Sequence, residues 1–240
     1  QREAESGRLK VLFVNTYCGK FGGVEQNIAD VASGLRGRGH DCFLVYVAET
    51  VRGADAFKQL FSEAVCGGDG DGLTAVTREQ LRRLSPDAVY VHKLDSVEPL
   101  LPFRGSVHLV RMVHDHDECC PRRHKYFALS TRICTHPVGW HCWADLAFVE
   151  RNRASRLGFG WRNLSRHKRE LVLNRGLFDR FLVGSRFMRD ELLTNGFPAD
   201  RIDCLPPCVR LPDRTPTPVP DNAELLFVGQ LIKGKGVDLL

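Results

Sequence analysis

Six of the nine histidines and four of the nine cysteines fall between His108 and Cys142. The histidines are His108, His114, His116, His124, His136 and His141; the cysteines are Cys119, Cys120, Cys134 and Cys142. Imidazole can move a proton, donate or accept a hydrogen bond, or bind a metal. Cys120, Cys134 and Cys142 with a histidine could make a structural zinc site, but their spacing matches no C-x-x-C knuckle. Packed thiols and surface histidines are the simpler reading.

A second chemical feature is the turn Gly22-Gly23-Val24-Glu25, which opens a helical pattern. Glycine lets a ligand approach the backbone, and the free N–H groups of a helix start favour an anion such as a diphosphate. Gly19, Gly22 and Gly23 do not have the G-x-G-x-x-G spacing of a dinucleotide site. Gly229 to Gly236 (GQLIKGKG) nearly matches a P-loop, but Gly236 stands where the magnesium-binding hydroxyl belongs. That excludes an ATPase and leaves Lys235 as either a phosphate contact or a solvated turn lysine. His114-Asp115-His116-Asp117 is similar to the H-x-H-x-D-H of metallo-β-lactamase-type hydrolases, with Glu118 and Cys119 in place of the closing pair.

Elements must bring these residues together. Lys10 to Asn15 is a short branched apolar run and reads as a buried strand. Val24, Ile28, Val31, Ala32 and Leu35 recur at helical spacing, closed by Gly37 and Gly39. Asp41 to Val47 is a second strand, so the start is a βαβ unit. Further strands are expected at Ala88–His92, Val107–Val113, Phe178–Val183 and Ile202–Leu205. Helices are expected at Thr77–Leu84 and Arg186–Asn195. Alternation of this kind predicts an α/β protein with a doubly wound parallel sheet, Rossmann-like. Ligands in such sheets bind beyond the carboxyl ends of the strands. There the sequence places Asn15 and the Gly22-Gly23 loop, His92 and Lys93, His114 and Asp115, and Gly184-Ser185-Arg186.

Prolines 206, 207, 212, 216, 218 and 220 mark a linker. The expected division is a tail over 1–8, a Rossmann-like domain over 9–210, a linker over 211–222, and the start of a second domain over 223–240. Glu224–Val228 is read as that domain's first strand. The chain stops on the apolar Leu239-Leu240, so it is expected to be a fragment.

The 240 residues are 43% apolar and 26% charged with a net charge of +5, which excludes a disordered or membrane-spanning chain. The mild basic excess suits phosphate-bearing ligands or an anionic surface and argues against a nucleic-acid partner. No secretory signal is visible, so nine cysteines suggest reduced thiols and a cytoplasmic location. Eight Arg or Lys stand between Arg151 and Arg175 against Glu170 alone, interleaved with Leu157, Phe159, Trp161 and Leu164. This segment is either a solvated helix face or a peripheral contact with the inner face of a membrane. Arg122, Arg123 and Lys125 form a second basic cluster.

In order, Val11–Val45, Val110–Phe127, Phe178–Val209 and Leu225–Leu240 resemble a GT-B glycosyltransferase of family 4. The resemblance covers the family's amino-terminal, acceptor-side lobe across residues 9 to 212 and the opening of its donor lobe. It implies retaining transfer from a nucleotide diphosphate sugar to a glycan or lipid-linked acceptor, with no metal or other cofactor. It implies that His114 lies near the donor sugar as the catalytic histidine. Gly22 and Gly23 would lie against the donor diphosphate or the acceptor, and Lys235 would meet the diphosphate. Lys93, Asp115, Arg122 and Arg123 are the acceptor-side candidates. Gln230 stands where the family often has Arg, with Lys233 as a substitute. Leu205-Pro206-Pro207-Cys208-Val209 replaces the usual Asn-Gly turn. The family's paired glutamates belong to the second lobe and are absent, so the fragment alone is expected to be inactive. The alternatives are a metal-dependent hydrolase using His114 and His116, and a non-catalytic flavodoxin-like binding domain.

Overall fold

The computed structural model describes residues 7–20, 22–127, 132–151, 158–207, 221–229, 231 and 236–237. Apolar runs become strands β1 (Lys10–Cys18), β2 (Asp41–Glu49), β3 (Glu63–Cys66), β4 (Ala88–Val91), β5 (His108–Val113), β6 (Val149–Arg151), β7 (Phe159–Trp161), β8 (Arg180–Val183) and β9 (Ile202–Cys204). Between them run helices α1 (Gly23–Gly37), α2 (Ala54–Lys58), α3 (Asp71–Leu84), α4 (His141–Ala144), α5 (Leu164–Leu177) and α6 (Arg186–Thr194).

Seven strands form one parallel sheet in the order β3-β2-β1-β4-β5-β8-β9. The chain moves outward from β1 through β2 and β3, then returns to the other side of β1 and moves outward again. The reversal therefore falls between β1 and β4, where open α/β sheets form their ligand crevice. A separate antiparallel hairpin pairs β6 with β7.

Alternation along β1 sends side chains to two cores. Leu12 and Val14 join one with Leu73 of α3, Leu171 and Leu177 of α5 and Leu192 of α6. Val11 and Phe13 join the other with Ile28 and Ala32 of α1 and Phe57 of α2. Helices thus cover both faces, which is the doubly wound architecture. Burial of this kind drives the fold, and deleting a fully buried phenylalanine such as Phe13 costs about 3–5 kcal/mol.

Several expectations are corrected. The helix expected at Thr77 begins at Asp71, whose carboxylate suits the positive end of the helix dipole. Within the basic segment, α5 buries Leu164, Leu171, Asn174 and Leu177 along one side. That sparse spacing was hidden among arginines. The five-residue α2 and the short β3 were not anticipated, because each has too few periodic residues to read. Glu224–Val228 is not a strand among the described residues. A strand requires a pairing partner for its backbone groups, and Leu225, Leu226 and Val228 are left exposed. The chain divides into two units, Gln1–Cys208 and Val209–Leu240.

Candidate functional site

The carboxyl ends of β1, β4 and β5 carry the site. Past β4, Thr16 takes the Lys93 carbonyl through both its backbone N–H (2.8 Å) and its hydroxyl (2.9 Å). Asn15 accepts the Lys93 backbone N–H at 3.0 Å and donates to Glu25 at 3.3 Å. Glu25 in turn accepts the Gly22 N–H at 2.9 Å. Glutamate at the third position of α1 reaching back to the helix entry is half of a capping box. Asn15 and Glu25 are buried, so a chain of polar groups runs under the sheet edge from the glycine turn to Lys93.

Lys93 extends this chain outward. Its ammonium lies 2.6 Å from Asp115 and 2.7 Å from Asp117. Burial works to lower the Lys93 pKa, and the two carboxylates outweigh it, so the pKa rises. Asp115 is partly buried, which opposes ionisation, yet Lys93 and the Asp117 N–H hold its pKa below the usual range. Beneath, the buried Arg111 binds Glu118 at 2.7 Å.

His114 follows β5 and meets His92, which follows β4. His114 Nε2 and His92 Nδ1 are 2.9 Å apart, and the rings stack with centroids 5.2 Å apart. His92 is fully buried, between Phe13 (centroids 5.8 Å) and Tyr90 (4.3 Å). Burial, then His114 and the Arg111 charge, push the His92 pKa well below the usual imidazole value. Burial and Arg111 lower that of His114 to about 4. Both rings are neutral at pH 7. His92, Lys93, Arg111, His114, Asp115, Asp117 and Glu118 line one narrow cleft.

The glycine turn lines a different cavity of about 480 Å³, with Lys20, Arg52, Gln26, Phe57 and Leu60 around it. Gly22 is extended (φ −169°), and a side chain there would meet only the Glu25 carboxylate, at 3.9 Å. A side chain on Gly23 would meet nothing. Neither glycine is demanded by backbone strain or by packing within the described residues. Their effect is open space at the amino terminus of α1. Gly19 differs: its φ is +128°, and a side chain there would run into Thr50.

The structure therefore brings His114, Lys93 and Asp115 to one cleft and joins Lys93 to Gly22 through hydrogen bonds of the buried Asn15 and Glu25 side chains. It does not bring Arg122 to them. Arg122 binds the Asp145 carboxylate and carbonyl and lines a pocket with Cys120, Cys134 and Cys142. Arg123 is half exposed, with Asp117 at 3.4 Å. Lys125 is buried against Glu191 at 2.9 Å. Lys235, Lys233 and Gln230 lie outside the described residues. His116 packs edge-on against Phe187 rather than pairing with His114. Among the described residues, no group of three or more His, Cys, Asp or Glu could hold a metal. The hydrolase reading thus finds no ligand set there, and neither does zinc at Cys120, Cys134 and Cys142. Sequence reasoning undervalued His92, Asn15, Glu25 and Asp117. The available signal was a polar residue ending each of two strands that flank a reversal in strand order.

Residues 21–211 match Glycosyltransferase Family 4. The chain belongs to that family. No curated protein matches it. Among solved structures, a glycosyltransferase from Rickettsia africae is similar with a TM-score of 0.50 and 12% identity. That match covers 84% of this chain and 43% of the other. Anabaena HepE in complex with UDP aligns at 0.48 and 17% identity, over 83% and 44%. The lipopolysaccharide outer core galactosyltransferase WaaB aligns at 0.48 and 13%, over 81% and 44%. The Rickettsia likeness shows the fold. The chain spans less than half the length of each of these structures.

Proposed function

We propose that this chain is the acceptor-side lobe of a retaining glycosyltransferase. Its full-length protein moves a hexosyl unit from a nucleotide diphosphate sugar to a glycan or lipid-linked acceptor, without a metal. One observation supports the reading above others. The family match coincides with a cluster of imidazole, ammonium and carboxylate groups at the sheet's reversal point, linked through Asn15 and Glu25 to a helix start kept open by two glycines.

In glycosyl transfer, charge develops on the departing diphosphate and on the anomeric centre. Groups already oriented toward that charge lower the barrier most. His114, neutral and held by His92, hydrogen-bonds the donor sugar without titrating near pH 7. Gly22 and Gly23 admit the diphosphate or the acceptor to the first turn of α1. Lys235, in the second unit, offsets leaving-group charge. Lys93 and Asp115 serve the acceptor as a paired unit, whose ion pair is broken if either is replaced. Arg123 stands beside Asp117 for the same ligand, whereas Arg122 holds the loop that carries it.

Among the described residues, no helix is long and apolar enough to cross a membrane. Peripheral contact at the inner face of a membrane is part of the proposal. Trp161 is 81% exposed and stacks on Phe148 with ring planes 6° apart. An exposed indole in an arginine-rich stretch of sequence suits a lipid–water boundary. A cytoplasmic location follows from the same proposal.

The test is a panel of nucleotide sugars offered to the full-length protein with glycan and lipid-linked acceptors. Release of nucleoside diphosphate that depends on acceptor, with the product's anomeric configuration retained, is the expected result. Absence of turnover with every donor, or inversion at the anomeric carbon, overturns the proposal. His114→Ala is expected to lower kcat by roughly 10²- to 10³-fold.

A further inference from the structure

We infer that His92 is a positioning residue which fixes the tautomer of His114, leaving Nδ1–H of His114 as a hydrogen-bond donor for the ligand. The tautomer follows from the geometry of the pair once both rings are neutral. Its use toward a sugar or phosphate oxygen rests on the glycosyltransferase reading.

The two rings share a single hydrogen bond, between His92 Nδ1 and His114 Nε2. Each ring is neutral, so each carries one N–H, and two arrangements are open. In the first, His92 donates from Nδ1 and His114 accepts at Nε2. In the second, His114 donates from Nε2 and His92 accepts at Nδ1. The second puts the His92 proton on Nε2. That atom is buried and has no hydrogen-bond partner among the described residues. It would be an orphaned N–H beside the Phe13 and Tyr90 rings. Buried orphan N–H groups are rarer than unsatisfied acceptors, and a lost donor costs about 1–3 kcal/mol. The first arrangement leaves only a bare ring nitrogen there.

With Nε2 of His114 occupied by the His92 proton, Nδ1 of His114 is protonated. Among the described residues, no other hydrogen bond engages that ring. His114 then has one reachable polar atom, and it is a donor. It cannot act as a general base, because its only lone pair on nitrogen is already used. The matching ligand atom is an acceptor oxygen: a sugar hydroxyl oxygen or a phosphate oxygen. Charge growing on such an oxygen strengthens the bond, whereas a base would need a hydroxyl proton.

Nitrogen NMR of the full chain labelled with ¹⁵N-histidine tests the tautomer without any ligand. The expected spectrum shows His114 with a protonated Nδ1 and a bare Nε2, the reverse of the usual preference of free histidine. His92 should likewise be protonated at Nδ1. Protonation of His114 at Nε2 in the unaltered chain overturns the inference. His92→Asn places an amide N–H near the lost Nδ1 and should keep the His114 tautomer. His92→Phe removes the donor and should return His114 to Nε2–H. Retention of Nδ1–H in a folded His92→Phe chain also overturns it. In the full-length enzyme, His92→Phe should lower kcat roughly 10- to 100-fold with KM little changed, and His92→Asn should recover most of it. Equal loss in both variants, or loss in KM alone, counts against positioning. Absence of turnover in the unaltered protein removes the glycosyltransferase reading and leaves the spectroscopic result standing.

Discussion

Asn15 accepts the backbone N–H of Lys93 at 3.0 Å, a bond spanning 78 positions in sequence that ties the end of β1 to the end of β4. The same amide donates to the Tyr17 carbonyl and to Glu25. One buried side chain thus holds the reversal point of the sheet closed and connects the glycine turn to the cluster around Lys93.

Asn15→Leu fits the buried volume but leaves the Lys93 N–H and the Glu25 carboxylate without this partner. The expected loss is about 1–3 kcal/mol, read as a lower urea midpoint with unchanged m-value. A variant as stable as the parent would show that the network is not a structural tie.

Gly22→Ala separates folding from function. Its φ is extended and, among the described residues, a methyl there would meet only the Glu25 carboxylate at an ordinary 3.9 Å, so the midpoint of thermal unfolding should barely move. Turnover by the full-length enzyme should fall at least tenfold, because the methyl occupies the space kept open at the start of α1. Gly19→Ala should do the opposite and lower the melting temperature, since φ +128° and the nearby Thr50 exclude a side chain. Unchanged turnover in Gly22→Ala would remove the turn from the site.

The His92–His114 pair makes stability depend on pH. Both pKa values are lower in the folded chain than the 6.5 of a free imidazole, with His114 at about 4. The unfolded chain therefore binds more protons below pH 6.5, and stability falls as pH drops from about 6.5 toward 4. Above about 6.5 the contribution is complete. Denaturation midpoints measured across this range should decline, and His114→Gln should flatten the decline. Equal slopes in both proteins would contradict the burial assigned to the pair.

Lys93→Met removes the cation shared by Asp115 and Asp117. Two carboxylates then face each other with Arg123, on the Asp117 side at 3.4 Å, as the remaining neighbouring cation, and the Asp115 pKa should rise from its present lowered position. The expected signature is an acid-side titration of Asp115, followed by carbon NMR, displaced to higher pH. Acceptor KM should rise in the full-length enzyme more than donor KM does. A displaced donor KM alone would move Lys93 to the other substrate.

Chelators should leave turnover unchanged if the proposal is right, since the residues that gather at the site are an imidazole pair, an ammonium and its carboxylates. A loss of activity in EDTA restored by one metal would revive a metal-dependent mechanism.

Local chemistry decided much of this protein before folding. Branched apolar runs such as Lys10–Asn15 can hardly be anything but buried strands, and glycines after Leu35 end a helix of the expected register. These preferences depend on near neighbours, so the longer strands, helices α1 and α6, the open glycine turn and the polar strand ends were readable in one dimension, whereas α2, β3 and α5 were not. Tertiary structure decided which strand ends meet. Lys93 and Asp115 lie 22 positions apart, yet parallel pairing of β4 with β5 sets them side by side. Arg122 and Arg123 are adjacent in sequence, but one is spent on Asp145 and the other reaches the rim near Asp117. Glu224–Val228 has the composition of a strand and no partner among the described residues, because pairing is not a local property. The same holds for His92, whose meaning comes from the imidazole stacked against it and the aromatic rings that deny its far nitrogen an acceptor.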